Sequence, residues 1–136
     1  MHHSAESTHA SLYDANVLVP TGTEEYVRMA RLDTLWQRGE IPERIDYIKV
    51  DAQGAEGGIL AGATKLLAEG RAAWWIELWS AGLANAGTEL SDLVEAFEAA
   101  GYQPAGMTWA TAVEHAAAHQ GHSSMDILVL PPVREN

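Results

Sequence analysis

One stretch constrains the fold more than any other. Between residues 45 and 79 the sequence runs from an apolar strand pattern through a polar turn and a helical stripe to a second apolar strand. Ile45-Asp46-Tyr47-Ile48-Lys49-Val50 is β-branched and aromatic, and it leads into the turn residues Asp51-Ala52-Gln53-Gly54. Ile59, Leu60, Ala63, Leu66 and Leu67 then fall on one face of a helix, with Gly70 as its stop. Ala73-Trp74-Trp75-Ile76-Glu77-Leu78-Trp79 is the second strand.

The pattern continues downstream. Thr88 is placed to cap a helix whose Leu90, Leu93, Val94 and Phe97 form a stripe ending at Gly101. Residues 102–109 read as a strand, 110–119 as an alanine-rich helix, and 125–130 as the last strand before Pro131-Pro132. Upstream, residues 1–16 read as irregular, while 17–20 and 26–30 read as short strands. Leu32, Leu35 and Trp36 mark a short helix closed by Gly39.

Strands alternating with helices specify a layered α/β fold, and 136 residues are enough for one domain with a real core. Strands 45–50 and 73–79 are expected to be parallel neighbours joined by a right-handed crossover. The near-continuous apolar run in 73–79 predicts a sheet covered by helices on both faces.

Charge and composition narrow the partners. Eight basic against nineteen acidic residues give a net charge of −11, which disfavours nucleic acid and anionic membranes. With no cysteine there is no disulfide framework, thiolate metal site or cysteine nucleophile. No apolar run approaches the length of a membrane span, and no signal peptide is visible, so the expected compartment is cytoplasmic.

In open α/β sheets, ligands bind beyond the carboxyl ends of the strands. Two segments occupy such positions: residues 51–56, and Glu77 with its neighbours. If their strands adjoin, Asp51 and Glu77 converge, and paired carboxylates there can exchange protons, bind a cation or hold hydroxyls. A plainer reading stands beside this one. Asp51 serves as a helix cap and Glu56 as a complement to the helix dipole. Glu77, embedded among tryptophans, requires either a partner or solvent.

Other signals are weaker. His115, His119 and His122 have the spacing of a helical metal site, but Gly121 interrupts it, and exposed histidines are the favoured reading. Leu78-Trp79-Ser80-Ala81-Gly82 lacks the first glycine of a nucleophile elbow. Gly54, Gly57, Gly58 and Gly62 match no phosphate-binding loop.

The run Ile45-Asp46-Tyr47-Ile48-Lys49-Val50-Asp51-Ala52-Gln53-Gly54-Ala55-Glu56, followed by Ile59-Leu60-Ala61-Gly62-Ala63, resembles the signature of the FkbM-type methyltransferases. Arg31-Leu32-Asp33, Ser11-Leu12-Tyr13, Glu77 and Gly101-Tyr102 extend the resemblance over residues 11 to about 130. It implies an S-adenosylmethionine-dependent O-methyltransferase acting on a small-molecule or sugar hydroxyl. The implied fold is a partial Rossmann-like sheet, mostly parallel, with strand 125–130 antiparallel beside 73–79 and strand 102–109 outside it. Asp51 and Glu77 are the implied catalytic residues, and Asp51, Gln53 and Glu56 the implied donor-binding residues. No resident metal is implied.

The strand and glycine-rich loop that open such domains have no counterpart in this sequence, which resembles the C-terminal portion of the domain. Weak or absent donor binding by the chain alone is therefore expected. The outer edge of strand 45–50 is expected to recruit a second copy or a complementing chain. The alternative function is a non-catalytic acidic α/β module that binds a protein partner.

Overall fold

The computed structural model describes residues 2–4, 10–11, 20–24, 27–118 and 123–133. Two sheets form. The first is antiparallel, in the order β2-β1-β3, from β1 (His2–Ser4), β2 (Ala10–Ser11) and β3 (Pro20–Glu24). Residues 1–16 are therefore not wholly irregular. Strands this short pair through their backbones, and without apolar alternation they leave no mark in the sequence. Residues 27–30, expected as strand, are irregular, and 17–19 lie outside the described residues.

The second sheet carries the core. Its order is β4-β5-β7-β6, from β4 (Tyr47–Val50), β5 (Ala73–Leu78), β6 (Gln103–Pro104) and β7 (Met125–Leu130). β4 and β5 are parallel, with Val50 opposite Ile76. β7 runs antiparallel to β5, and β6 pairs antiparallel with β7 on its far side, so the expected order holds. The sheet is not mostly parallel, however: one strand pair of three is. β6 is also far shorter than residues 102–109. Pro104 offers no N–H to a ladder, Gly106 turns the chain at φ +73°, and Trp109 already opens a helix.

Among the described residues six helices accompany the strands: α1 (Leu32–Gln37), α2 (Glu56–Ala61), α3 (Thr64–Glu69), α4 (Ser80–Asn85), α5 (Leu90–Ala99) and α6 (Trp109–Ala118). The single apolar stripe over 59–67 hides a break between α2 and α3. Arg31 and Asp33 hold that break from outside. Arg31 Nη2 donates to the Ala61 carbonyl at 2.6 Å, satisfying the end of α2. The buried Asp33 carboxylate accepts from Thr64 Oγ1 and from the Lys65 and Leu66 N–H groups, at 3.0–3.2 Å, capping α3. The expected cap Thr88 instead packs over Gly57, where an added Cβ would lie 2.3 Å from Thr88 Cγ2. Glu89 caps α5, its N–H donating to Asp92 at 2.9 Å. The short α4 was not signalled by any apolar stripe.

Burial on the sheet is one-sided. Register and alternation put Val50, Trp74, Ile76, Ile127 and Val129 on one face, and all five are buried. Phe97 of α5 meets Trp74 edge-on, with ring centroids 5.9 Å apart, and stacks on Trp109 of α6 at 5.7 Å. α2 packs against α5, so α2, α5 and α6 all lie toward this face. The opposite face, with Lys49, Trp75 and Leu128, is only partly covered among the described residues, so the expected helical cover on both faces is lopsided.

Candidate functional site

The parallel pairing of β4 and β5 brings their carboxyl ends side by side. Asp51 follows β4 directly, and Glu77 is the penultimate residue of β5, so both acids lie at one end of the sheet. One side chain joins them. Gln53 Nε2 donates to Asp51 Oδ1 at 3.1 Å and to Glu77 Oε2 at 3.3 Å. Two acids that would otherwise repel each other thus share one amide donor.

Glu77 is 9% exposed, and its second oxygen, Oε1, accepts from Ser124 Oγ at 2.6 Å. The requirement for a partner is met on both oxygens. Asp51 is open, with 44% of its side chain exposed, and the Lys49 ammonium lies 3.2 Å from Oδ2. That pair is too exposed to add much stability, but it sets a cation beside the acid. Sequence reasoning missed Lys49 and Ser124. Lys49 lies two residues from Asp51 on an alternating strand, which was a usable signal; Ser124, 47 residues from Glu77, gave none.

The turn that carries Gln53 has special geometry. Gln53 sits at φ +51° and Gly54 at φ +101°. A Cβ on Gly54 would lie 2.4 Å from the Gly82 carbonyl oxygen in α4, so the turn is pressed against the helix that follows β5. Placing Gln53 between the acids needs a left-handed residue, which costs about 1–2 kcal/mol for a residue with a side chain.

Glu56 occupies a different position from the one the resemblance implies. It is fully buried (0% exposed) and its Oε1 turns back to accept the Ala52 N–H at 2.8 Å. Its Oε2 has no hydrogen-bond partner among the described residues. Burial, with a smaller contribution from the Glu77 carboxylate, raises its pKa above the ordinary 4.5, against the lowering effect of nearby backbone N–H groups. Glu56 lies behind the turn rather than on an open surface.

Asp51 also borders a cavity of about 610 Å³ on the outer flank of β4, lined by Leu32, Ile48, Val50, Ala52 and Ile59 among others. That size suits a small-molecule ligand. A larger groove of about 780 Å³, between α2–α3 and α5, holds neither Asp51 nor Glu77 and is set apart from the carboxylates. Among the described residues no cluster of three or more acids and histidines is arranged to hold a metal. His115 is on α6, while His119 and His122 lie outside the described residues. No described helix is long and apolar enough to cross a membrane.

In comparison with known families, residues 2–104, about three quarters of the chain, fit the model of the Methyltransferase FkbM domain. No curated protein and no solved structure matches significantly.

Proposed function

Because this chain belongs to the FkbM methyltransferase family, we propose that it serves S-adenosylmethionine-dependent methyl transfer to a hydroxyl of a small molecule or sugar, at the carboxyl ends of β4 and β5. The observation that carries this reading is the Asp51–Gln53–Glu77 bridge beside an open cavity.

The residues present fit such a donor. An acidic end of the sheet attracts a cationic ligand, and exposed carboxylate and amide oxygens accept hydrogen bonds from hydroxyl and ammonium groups. Asp51 and Gln53 are the groups that would hold it; Glu56, enclosed behind the turn, supports them. When bound, the donor supplies an electrophilic methyl group on a sulfonium. Asp51 takes the acceptor hydroxyl's proton on a carboxylate oxygen as that hydroxyl loses it. Lys49 sets its ammonium beside that carboxylate, 3.2 Å from Oδ2. Glu77, fixed on both oxygens, orients Gln53 and lines the acceptor side.

A titration followed by nuclear magnetic resonance tests the reading, because it detects weak binding. S-adenosylmethionine is expected to move the Asp51 backbone and Gln53 side-chain signals of the full chain, and less so in Asp51→Asn. Shifts confined to the α2–α5 groove, or none at all, overturn it.

A second reading rests on β4. Its outer edge has no strand partner among the described residues, and Tyr47 there is 54% exposed. An acidic α/β module that docks a partner strand without catalysis would use that edge. Strand docking that leaves the Gln53 signals unmoved by the donor favours this alternative.

A further inference from the structure

We infer that Glu56 is a positioning residue: its carboxyl group, sealed behind the turn, locks residues 51–54 in the conformation that lets Gln53 bridge Asp51 and Glu77. The inference deepens the proposed site, and it rests on that reading only for its consequence in catalysis.

The geometry leads there in three steps. Gln53 reaches both acids from a left-handed backbone, φ +51°, a conformation disfavoured for a residue with a side chain. The turn therefore needs fixing on both flanks. On one flank Gly54 is pressed against the Gly82 carbonyl. On the other, Glu56 Oε1 accepts the Ala52 N–H at 2.8 Å, one residue before Gln53. This bond spans the turn from the first residue of α2 back to the residue after Asp51.

The chemical form of Glu56 follows from its surroundings. It is 0% exposed, one oxygen lacks a partner among the described residues, and no described cation pairs with it. Burial penalises the charged form and raises its pKa, while the backbone N–H groups around it favour that form. The groups facing it are the Glu77 carboxylate from β5, which disfavours a second negative charge, and the N–H groups of Ala52, Gly54 and Glu56 itself. The site thus holds three acids, of which one, buried and with its pKa raised, serves the other two through the turn.

The test uses the full 136-residue chain and needs no donor, so failure of the methyl-transfer reading leaves it intact. The Gln53 Nε2 and Glu56 carboxyl-carbon signals are followed with pH by nitrogen- and carbon-detected magnetic resonance. In the wild-type chain the bridged Gln53 signal is expected to persist through the Glu56 titration while the chain stays folded, because the ionised carboxylate accepts the Ala52 N–H at least as well as the neutral acid. Glu56→Gln, a neutral isostere that still accepts the Ala52 N–H, is expected to keep the bridged signal at every pH at which the chain is folded. Glu56→Ala is expected to lose it at all pH values. A bridged signal that survives in folded Glu56→Ala, or that is lost in the wild type as Glu56 titrates while the chain stays folded, overturns the inference. So does its loss in Glu56→Gln, which needs no alanine variant to fold.

Discussion

Ser124 Oγ donates to Glu77 Oε1 at 2.6 Å, so the acid near the end of β5 is gripped by the residue that precedes β7. Antiparallel pairing makes this possible, because the start of β7 lies at the same end of the sheet as the end of β5, with Leu78 opposite Met125. Replacing Ser124 by alanine strips one oxygen of a nearly buried carboxylate of its donor. The expected loss is about 1–2 kcal/mol of stability, read as a lower urea midpoint with an unchanged slope. An unchanged midpoint would show that solvent replaces the hydroxyl without penalty.

The break between α2 and α3 predicts a larger effect. Asp33 supplies three hydrogen bonds to the start of α3 from a side chain only 5% exposed. Asp33→Ala removes all three and leaves the buried Leu66 N–H and the part-buried Lys65 N–H open. Its cost is expected to be about 2–3 kcal/mol in chemical denaturation. Asp33→Asn keeps one acceptor oxygen and is expected to lose less. Equal losses in the two variants would mean that shape, not hydrogen bonding, is what Asp33 contributes.

These two contacts also mark how far the sequence could be read. The strand–turn–helix–strand pattern over 45–79 sufficed for the parallel β4–β5 pair, because strand residues such as Ile48, Val50, Trp74 and Ile76 carry their burial in their chemistry. Asp51 and Glu77 could be brought together from that pairing alone. The α2–α3 break could not be foreseen, since the apolar stripe runs across it and its cap lies some thirty residues away in Asp33. Ser124 is distant for the same reason. Gln53 as the bridge depended on a positive φ, which no local pattern announces for a glutamine. Residues 102–109 misled through their apolar content, which serves core packing by Tyr102 and Trp109 rather than a strand.

Glu56 gives the stability curve a definite sign. Its folded pKa is raised above the ordinary 4.5, mainly by burial, so the folded chain holds this proton more tightly than the unfolded chain. The stability it contributes is fully present below about 4.5 and is lost as pH rises through the raised folded value. Glu56→Gln abolishes this dependence. Thermal melts of the two chains should therefore diverge with rising pH, with the glutamine variant the more stable at neutral and alkaline pH. Parallel melting curves across that window would show that Glu56 ionises in the fold as readily as in the unfolded chain.

The free edge of β4 predicts association between copies. Its outer backbone groups have no strand partner among the described residues, and the flank beside it carries Ile48, Val50 and the apolar cavity walls. An edge of this kind pairs with another strand unless charge or proline blocks it, and β4 offers only Lys49 as a guard. The net charge of −11 opposes close approach of two copies. Salt shortens the reach of that repulsion, to roughly 10 Å at 0.1 M and about 3 Å at 1 M. Light scattering is therefore expected to show a mass that grows with concentration and with added salt. Tyr47→Lys, at an exposed position on the strand, should shift the chain toward the monomer without lowering its melting temperature. A monodisperse monomer at high salt, or a variant that associates as readily as the wild type, would remove β4 as the contact.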